Sequence, residues 1–418
     1  MKLSPNADRI ERYGIYECTI HPTKRAYSNP WEDVEISIVF EGPDGQVFPV
    51  DGFYYDTDTW KLRFSPPAVG PWKGEMAFAD SDATVTASVS FICESSDRRG
   101  FVRRHPTNPF RLVFEDGSLF NAIGIGDCIR AATEGASPLD QWGFDGEFRD
   151  KGNGRHRHGW VVDMPFYMKA YGARGAGFNL FRWSIDNCSF KLWDRISSEG
   201  NRYLVPEGKW GDELVEALRS HGFRIWLTFF GFHPAYPDAA ENPAEQEAVK
   251  RYLRYVVARY GAYVDIWELM NEAKVPDQWL TFAADYVRSI DPYRRLITTS
   301  WEKPDHPKIE LNAPHWYEKE SEFVSDLAVS RKIAEAKKWG KPVVFGEQGN
   351  SGQNWDEASG LRMRIRSWTA FFEEGVLIFW NSSFAKDYRS GAANVYLGPE
   401  ERRYIRVLQT FTSRVDSD

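Results

Sequence analysis

The sequence predicts an α/β protein, a (β/α)8 barrel of the TIM type behind a smaller N-terminal β-sandwich, and three observations carry that prediction. The chain is 418 residues long, which at about 150 residues per domain allows one large barrel and one small module. Its first hundred residues alternate apolar and polar side chains in short runs, the period of half-buried strands. Beyond them, apolar runs alternate with amphipathic helical stretches, the rhythm of βα units. The expected division is a sandwich over residues 1–100 and a barrel over residues 101–418.

In the first part the strand runs include Val34–Phe40, Trp60–Phe64 and Val85–Phe91. Gly42-Pro43-Asp44-Gly45, Pro66-Pro67 and Gly70-Pro71 break them with turn signals, so about seven short strands are expected, with no helical periodicity. A polar stretch, Ser95 to Gly100, reads as a linker, and a hairpin follows, Phe110–Phe114 and Leu119–Ile123 around Glu115–Ser118. The barrel strands are then expected at Ala122–Gly126, Phe178–Ile185, Arg224–Phe230, Val264–Met270, Leu296–Ser300, Ile309–His315, Pro342–Gly346 and Val376–Trp380. A helix is expected at each step, as at Glu245–Tyr260 and Glu322–Trp339, where apolar residues recur three and four apart. The connection after the first strand is long and rich in Gly, Asp and Arg. Its Trp142, Phe144 and Trp160 are costly to leave in water, which points to a lid or a wall of the binding cleft.

Composition narrows the ligand. Aromatic residues make up 15% of the chain, a surplus that suits polar ligands with apolar faces, sugars or unstacked bases. The net charge of −8 separates the two, because a polyanion is repelled unless a basic stripe overrides it, and the densest basic run is only Arg155-His156-Arg157-His158. A neutral oligosaccharide or glycoside is therefore the expected partner, and nucleic acid is not. No apolar leader and no run of about 18 apolar residues is present, so the protein is expected to avoid the membrane and to be cytoplasmic, or secreted after removal of a leader. Cys18, Cys93, Cys128 and Cys188 lack any CxxC spacing and read as reduced thiols.

No metal or organic cofactor is expected. The pair His156 and His158 lies in the long loop rather than at a strand end, and strand eight ends Trp380-Asn381, where a metal-dependent amidohydrolase would need an Asp. Gly124-Ile125-Gly126 lacks the third glycine and the helix start of a dinucleotide fingerprint.

Reacting groups of such barrels sit at the C-terminal ends of strands. Strand four ends Trp267-Glu268-Leu269-Met270-Asn271-Glu272, and strand seven ends Val343-Val344-Phe345-Gly346-Glu347. Two carboxyl groups facing each other about 5 to 5.5 Å apart are what retaining cleavage of a glycosidic bond requires. Asn271-Glu272, Glu347, Arg182 at the end of strand two, His315-Trp316-Tyr317 at strand six and Trp380 at strand eight resemble the clan A glycoside hydrolases, in particular cellulase-like family 5 barrels. Arg12–Glu17, Asn29-Pro30, Asp51–Tyr54 and Thr59–Phe64 resemble the sandwich called domain of unknown function 5060, which commonly precedes such barrels.

The resemblance implies that Glu272 is the acid/base, Glu347 the nucleophile and Asn271 a partner of the sugar 2-hydroxyl. It further implies that Arg182 and Tyr317 keep Glu347 ionised, that the charge of Glu347 helps Glu272 hold a proton, and that Trp380 floors the −1 subsite. His315, His233 after strand three, Asp127 after strand one and Trp301 after strand five are further candidates for contact with substrate. Glu268 reads as an inward barrel residue with hydrogen-bond partners, and Trp60 and Trp72 as sandwich core in preference to a sugar platform. Ala273 stands where family 5 often has proline, and the ring form and identity of the −1 sugar stay open. A cytoplasmic setting favours exo action on imported oligosaccharides. The alternatives on the same fold are a non-hydrolytic carbohydrate-binding protein and a transglycosylase.

Overall fold

The computed structural model describes residues 1–23, 27–126, 129–130, 160–161, 164–185, 192–194, 202–232, 236–300, 303–318, 325–350, 359–380, 382–383, 395–397 and 399–415. Eight strands, one more than the patterning suggested, build the N-terminal module. They are β1 (Lys2–Pro5), β2 (Arg9–Glu11), β3 (Tyr16–His21), β4 (Glu35–Glu41), β5 (Val47–Asp56), β6 (Thr59–Phe64), β7 (Gly70–Ala79) and β8 (Thr84–Glu94), in the order β1-β3-β6-β5-β4-β7-β8-β2. β5 belongs to both layers, because Val47–Asp51 pairs with β4 whereas Gly52–Asp56 pairs with β6. At the changeover a Cβ on Gly52 would lie 2.7 Å from the Ile36 side chain, so only glycine lets the strand turn the corner there.

β4 buries every second residue, Ile36, Ile38 and Phe40, as its alternation requires. Between the layers Tyr16 stacks on Phe91 and Phe40 on Phe64. Trp60 and Trp72 are each 1% exposed, which makes them core and removes them as a sugar platform. Cys18 and Cys93 are buried free thiols, as expected.

The barrel strands run parallel at Gly124–Gly126, Leu180–Ser184, Arg224–Phe230, Ile266–Met270, Leu296–Thr298, His315–Glu318, Val343–Asn350 and Gly375–Phe379, and are called one to eight below. They lie in the order five-four-three-two-one-eight-seven-six. The ring closes between five and six through an irregular stretch in which Glu310 N–H donates to Ile297 O (2.9 Å) and Asn312 bridges to Val343. Strand six itself begins at His315, later than the sequence pattern predicts.

Helices follow strands one to four and six to eight, at Met164–Tyr171, Val205–Ser220, Pro243–Tyr260, Asp277–Ile290, Ser325–Lys337, Ser359–Phe372 and Pro399–Thr412. Between strands five and six the described residues hold no helix, contrary to the expected eight βα units. Pro304 and Pro307 explain this, since each removes an N–H and fixes φ in a stretch too short to restart a helix. Among the described residues no helix is long and apolar enough to cross a membrane.

The base of the barrel is plugged. Val102–Arg104 pairs antiparallel with Leu112–Phe114, and Val113 bridges Leu119 in the expected hairpin. Val102, Leu112 and Phe114 join Leu180, Trp226, Ile266, Leu296, Val344 and Ile378 in one apolar cluster, so side chains from six strands meet the plug. The sandwich docks on the barrel flank by mutual insertion, with Phe53 in the barrel's apolar cluster and Tyr293 in that of the sandwich. Tyr293 accepts a 2.6 Å hydrogen bond from Ser65 N–H, satisfying its hydroxyl in the dry interface.

Candidate active site

Arg182 projects from the middle of strand two into the barrel and is fully buried. A buried guanidinium is tolerated only when paired, and here the partners come from strands four and seven. Its Nε and Nη2 grip Glu268 in a bidentate fork at 2.8 and 2.9 Å, Nη1 donates to Glu347 at 2.9 Å, and Nη2 also reaches Asn271 Oδ1 at 2.6 Å. Arg182 thus spends its donors on the protein rather than on a substrate.

Glu268 is also fully buried and accepts from Trp226 Nε1 (2.6 Å) and Thr228 Oγ1 (2.5 Å). Burial pushes its carboxyl up, but the charge and hydrogen bonds of Arg182 outweigh that and hold it below the usual range. With its oxygens already engaged, Glu268 is the inward, fully partnered residue expected from the sequence.

Glu347 owes its position to a bulge. Strand seven pairs Phe345 with Leu377 and then Gln348 with Phe379, so Gly346 and Glu347 together oppose a single residue of strand eight. A bulge re-aims side chains, and it leaves Glu347 reaching Arg182 as well as accepting from the Tyr317 hydroxyl. Burial and the charge of Glu347 push the Tyr317 phenol far up, which keeps it a protonated donor. Gly346 is needed because a Cβ there would lie 3.0 Å from His315 Nε2.

Glu272 sits just beyond strand four with φ +49°, a left-handed conformation uncommon for a non-glycine residue. Its backbone N–H donates to Ser300 Oγ at 3.3 Å, and its Oε1 lies 2.7 Å from His315 Nδ1. His315 Nε2 is buried without an acceptor, so the proton belongs on Nδ1, where it is donated to Glu272. That hydrogen bond is the main reason the Glu272 carboxyl is held below the usual range, against the opposing effect of its burial. This corrects the expectation that the charge of Glu347 makes Glu272 keep its proton, because the histidine donor at 2.7 Å is the larger influence.

One oxygen each of Glu272 and Glu347 and one nitrogen of His315 lie within 4.8 Å of one another. Such a set can hold a cation, but Nδ1 here faces Glu272 as a donor, Tyr317 donates to Glu347, and the Arg182 charge already adjoins Glu347. The bonding is that of a proton-handling pair rather than of metal ligands. The Glu272 side chain is 25% exposed and that of Glu347 6%, so the former opens to the cleft while the latter looks out from its wall.

Trp380, 6% exposed, follows strand eight with the Arg182 guanidinium 5.4 Å above its ring. A Cβ on Gly126 would fall 2.4 Å from this indole. The glycines of strand one that mimic part of a phosphate loop therefore make room for strand eight.

Residues 9–79 match the model of DUF5060, a domain of unknown function. Over 186 residues the chain is 29% identical to mannan endo-1,4-beta-mannosidase A of Podospora anserina, a match that covers 37% of this chain and 49% of that protein. The chain thus spans about half the length of this curated relative. A candidate glycoside hydrolase of Bacteroides vulgatus ATCC 8482, known from a crystal structure, superposes with a TM-score of 0.68 at 18% identity, over 97% of this chain and 79% of that one. At that identity the likeness is one of fold, and it runs through sandwich and barrel alike. Residues 9–79 are thus similar to DUF5060, and the chain as a whole shares the fold of that structure, a sandwich joined to a barrel.

In the barrel, seven of the ten sequence candidates, Glu272, Glu347, Asn271, Arg182, His315, Tyr317 and Trp380, converge on one mouth. Asp127, His233 and Trp301 lie outside the described residues, as does most of the long first loop, of which Ile129–Arg130 pairs in parallel with Trp160–Val161. Trp226, Thr228 and Ser300 were missed. They are uncharged and give no signal in sequence beyond lying on or just after strands three and five.

Proposed function

We propose that the protein is a retaining glycoside hydrolase acting on a β-linked or equivalent furanosidic saccharide, with Glu347 as nucleophile and Glu272 as acid/base. The observation that supports this reading is the approach of one oxygen of each carboxylate to within 4.8 Å of the other, a contact compatible with the close pair, carboxyl groups about 5–5.5 Å apart, that retaining cleavage uses. The unit boundary near residue 100 belongs to the same proposal, with the sandwich as a docked module and the barrel as the catalytic part.

In the first half-reaction a Glu347 oxygen attacks the anomeric carbon while the bond to the leaving oxygen breaks and that oxygen takes the proton of Glu272. Arg182 and the Tyr317 hydroxyl keep Glu347 anionic and oriented before attack. Both also hold the departing carboxylate in the second half-reaction, when Glu272 takes a proton from water and the resulting hydroxyl displaces Glu347. Glu272 needs a proton for the first step. A sugar seated between the carboxylates strips water from Glu272 and removes the screening between it and Glu347, and both effects favour the protonated form. Asn271, held by Arg182, faces the same mouth and is assigned to the sugar hydroxyl beside the reacting carbon.

The resemblance to a mannan endo-1,4-beta-mannosidase over 37% of the chain makes β-1,4-linked manno-oligosaccharides the first natural substrates to try. The test is a panel of aryl α- and β-glycosides, pyranose and furanose, together with those oligosaccharides, applied to the wild type and to Glu347→Ala and Glu272→Ala. Proton NMR of the first-formed sugar reads its anomeric configuration. Release from one class with retained configuration, lost in Glu347→Ala and leaving-group dependent in Glu272→Ala, is expected. Inverted product, or undiminished activity in either variant, overturns the proposal.

A further inference from the structure

At the opposite end of the barrel, a groove of about 630 Å³ runs between the linker that leaves the sandwich, the start of strand three and the end of the C-terminal helix. Five arginines line it, Arg98 and Arg99 from the linker, Arg219 and Arg224 from the barrel base and Arg414 after the last helix. The carboxylates beside them are fewer. Asp265 lies 3.2 Å from Arg219 Nη1 and 3.5 Å from Arg224 Nη1, and it divides its charge further by accepting the N–H groups of Val102 and Ile225. Arg98 reaches Glu11 at 3.4 Å, and Asp97 lines the groove.

Among the described residues that line the groove, five arginines stand with one carboxylate, Asp97, while Asp265 and Glu11 reach three of the arginines from beside it, on a chain whose net charge is −8. Arg219 and Arg224 are 14% and 15% exposed, too buried for water to screen them fully. Arg224 is also fixed in place, stacked 4.5 Å over the Phe114 ring and donating to Gly100 O at 2.8 Å. Burial, followed by the charge of Arg224, pushes the Arg219 guanidinium down to about 10. Asp265 opposes that shift without cancelling it, which agrees with the crowding of guanidiniums that the lining shows.

We infer that this groove is an oxyanion site of the phosphate or carboxylate class, in which the anion joins the linker arginines to Arg219 and Arg224 and so ties the sandwich linker to the barrel base. Guanidiniums are suited to this, since each offers a planar fork of donors that matches two oxygens of one anion. The site lies at the N-terminal ends of the strands, away from Glu272 and Glu347, so its occupancy acts on stability rather than on turnover. The anion has two conceivable sources, a soluble oxyanion or the chain's own acidic residues Asp416 and Asp418, which follow Val415 in sequence.

The test is thermal unfolding of the full chain in inorganic phosphate against chloride of equal ionic strength, with binding followed by calorimetry. A saturable rise in Tm of several degrees, weakened at least about tenfold in affinity by Arg219→Gln and by the exposed Arg414→Ser, is expected. Arg414→Ser serves if the buried substitution fails to fold. A phosphate effect that emerges only in Asp416→Asn/Asp418→Asn supports the site and assigns its anion to the chain. No effect in any of these chains, or equal effects with and without the arginines, overturns the inference.

Discussion

At the junction of sandwich and barrel, Arg63 and Arg259 face Asp212 and Glu17. At the mouth of the barrel, one guanidinium, Arg182, faces Glu268 and Glu347, with Glu272 close by. Both clusters are buried and both are organised by arginine. They differ in balance. Asp212 is gripped by Arg259 through Nε (3.0 Å) and Nη2 (2.7 Å) and by Arg63 Nη1 (2.9 Å), which also donates to Arg259 O (2.9 Å), Glu17 accepts from Arg63 Nε and from the Lys61 ammonium, and both guanidiniums lie 5.1 Å from the centre of the Phe53 ring. Glu216, half-buried beside them, feels the charges of Arg63 and Lys61 as well, so three cations meet three carboxyl groups, and what results is a fixed joint. At the mouth, carboxylates outnumber the guanidinium, and the surplus negative charge lies where a sugar carbon becoming cationic would be stabilised. Balance marks the cluster that holds the molecule together, and imbalance the one disposed to react.

The sharpest way to break this comparison is to remove one carboxylate charge from each cluster. Glu347→Gln relieves a surplus of negative charge, so Tm is expected to stay level or rise, while kcat falls at least about 1000-fold, roughly 4 kcal/mol in the barrier. Asp212→Asn leaves two buried guanidiniums short of anions and is expected to cost about 3–5 kcal/mol of stability with kcat of the folded fraction unchanged. Calorimetry and steady-state kinetics on the same preparations read both. A Glu347→Gln variant that melts well below wild type, or an Asp212→Asn variant that is fully stable, would show that charge balance does not distinguish the two clusters.

A smaller effect sharpens the reactive half. The hydrogen bond from His315 is the leading cause that holds Glu272 below the usual carboxylate range. The basic limb of kcat/KM reports the acid of the free enzyme, so wild-type activity is expected to favour acidic pH. In His315→Ala the carboxylate loses the donor that favoured its charged form, its pKa rises, and the basic limb moves to higher pH. The maximum rate falls about 10- to 100-fold through lost positioning. An unmoved basic limb with the same fall in rate would leave His315 as a structural prop only.

Much of this contrast was legible in the sequence, and unevenly so. The Asn-Glu pair, the strand-seven Glu and the strand-two Arg are charged residues at the ends of apolar runs, where period-two patterning makes them conspicuous. Glu268 could be placed inward because it shares the face of Glu272 four residues on. The bulge that aims Glu347 was invisible, since Gly346 alone does not distinguish a bulge from an ordinary strand end. The missing helix between strands five and six was signalled by Pro304 and Pro307, but the eightfold rhythm overrode the signal. The Asp212 joint could not be read at all, because Arg63, Asp212 and Arg259 lie on three elements whose docking no local pattern encodes. The direction of the Glu272 shift depended on a side-chain contact with His315 across 43 positions of sequence.

A third cluster separates balance from burial. At the barrel base the Glu374 carboxylate accepts from Arg111 Nε (2.8 Å), Asn108 Nδ2 (2.8 Å) and Lys337 Nζ (3.0 Å), and its side chain is 23% exposed. Burial pushes this carboxyl up, but the three donors outweigh it and hold the group down at about 2, from an ordinary 4.5. A carboxyl with a depressed folded-state pKa adds stability above its unfolded pKa and loses that contribution as pH falls through the folded value. Glu374→Gln is therefore expected to lower Tm at neutral pH by an amount equivalent to about 1 kcal/mol, less than Asp212→Asn because water shares the load. The gap to wild type should close as pH falls from 4.5 toward 2, with turnover untouched. A gap that persists unchanged at low pH would mean that the neutral hydrogen bonds, rather than the charge, hold the hairpin to the barrel. A gap as large as that of Asp212→Asn would mean that depth of burial does not set the cost in either place.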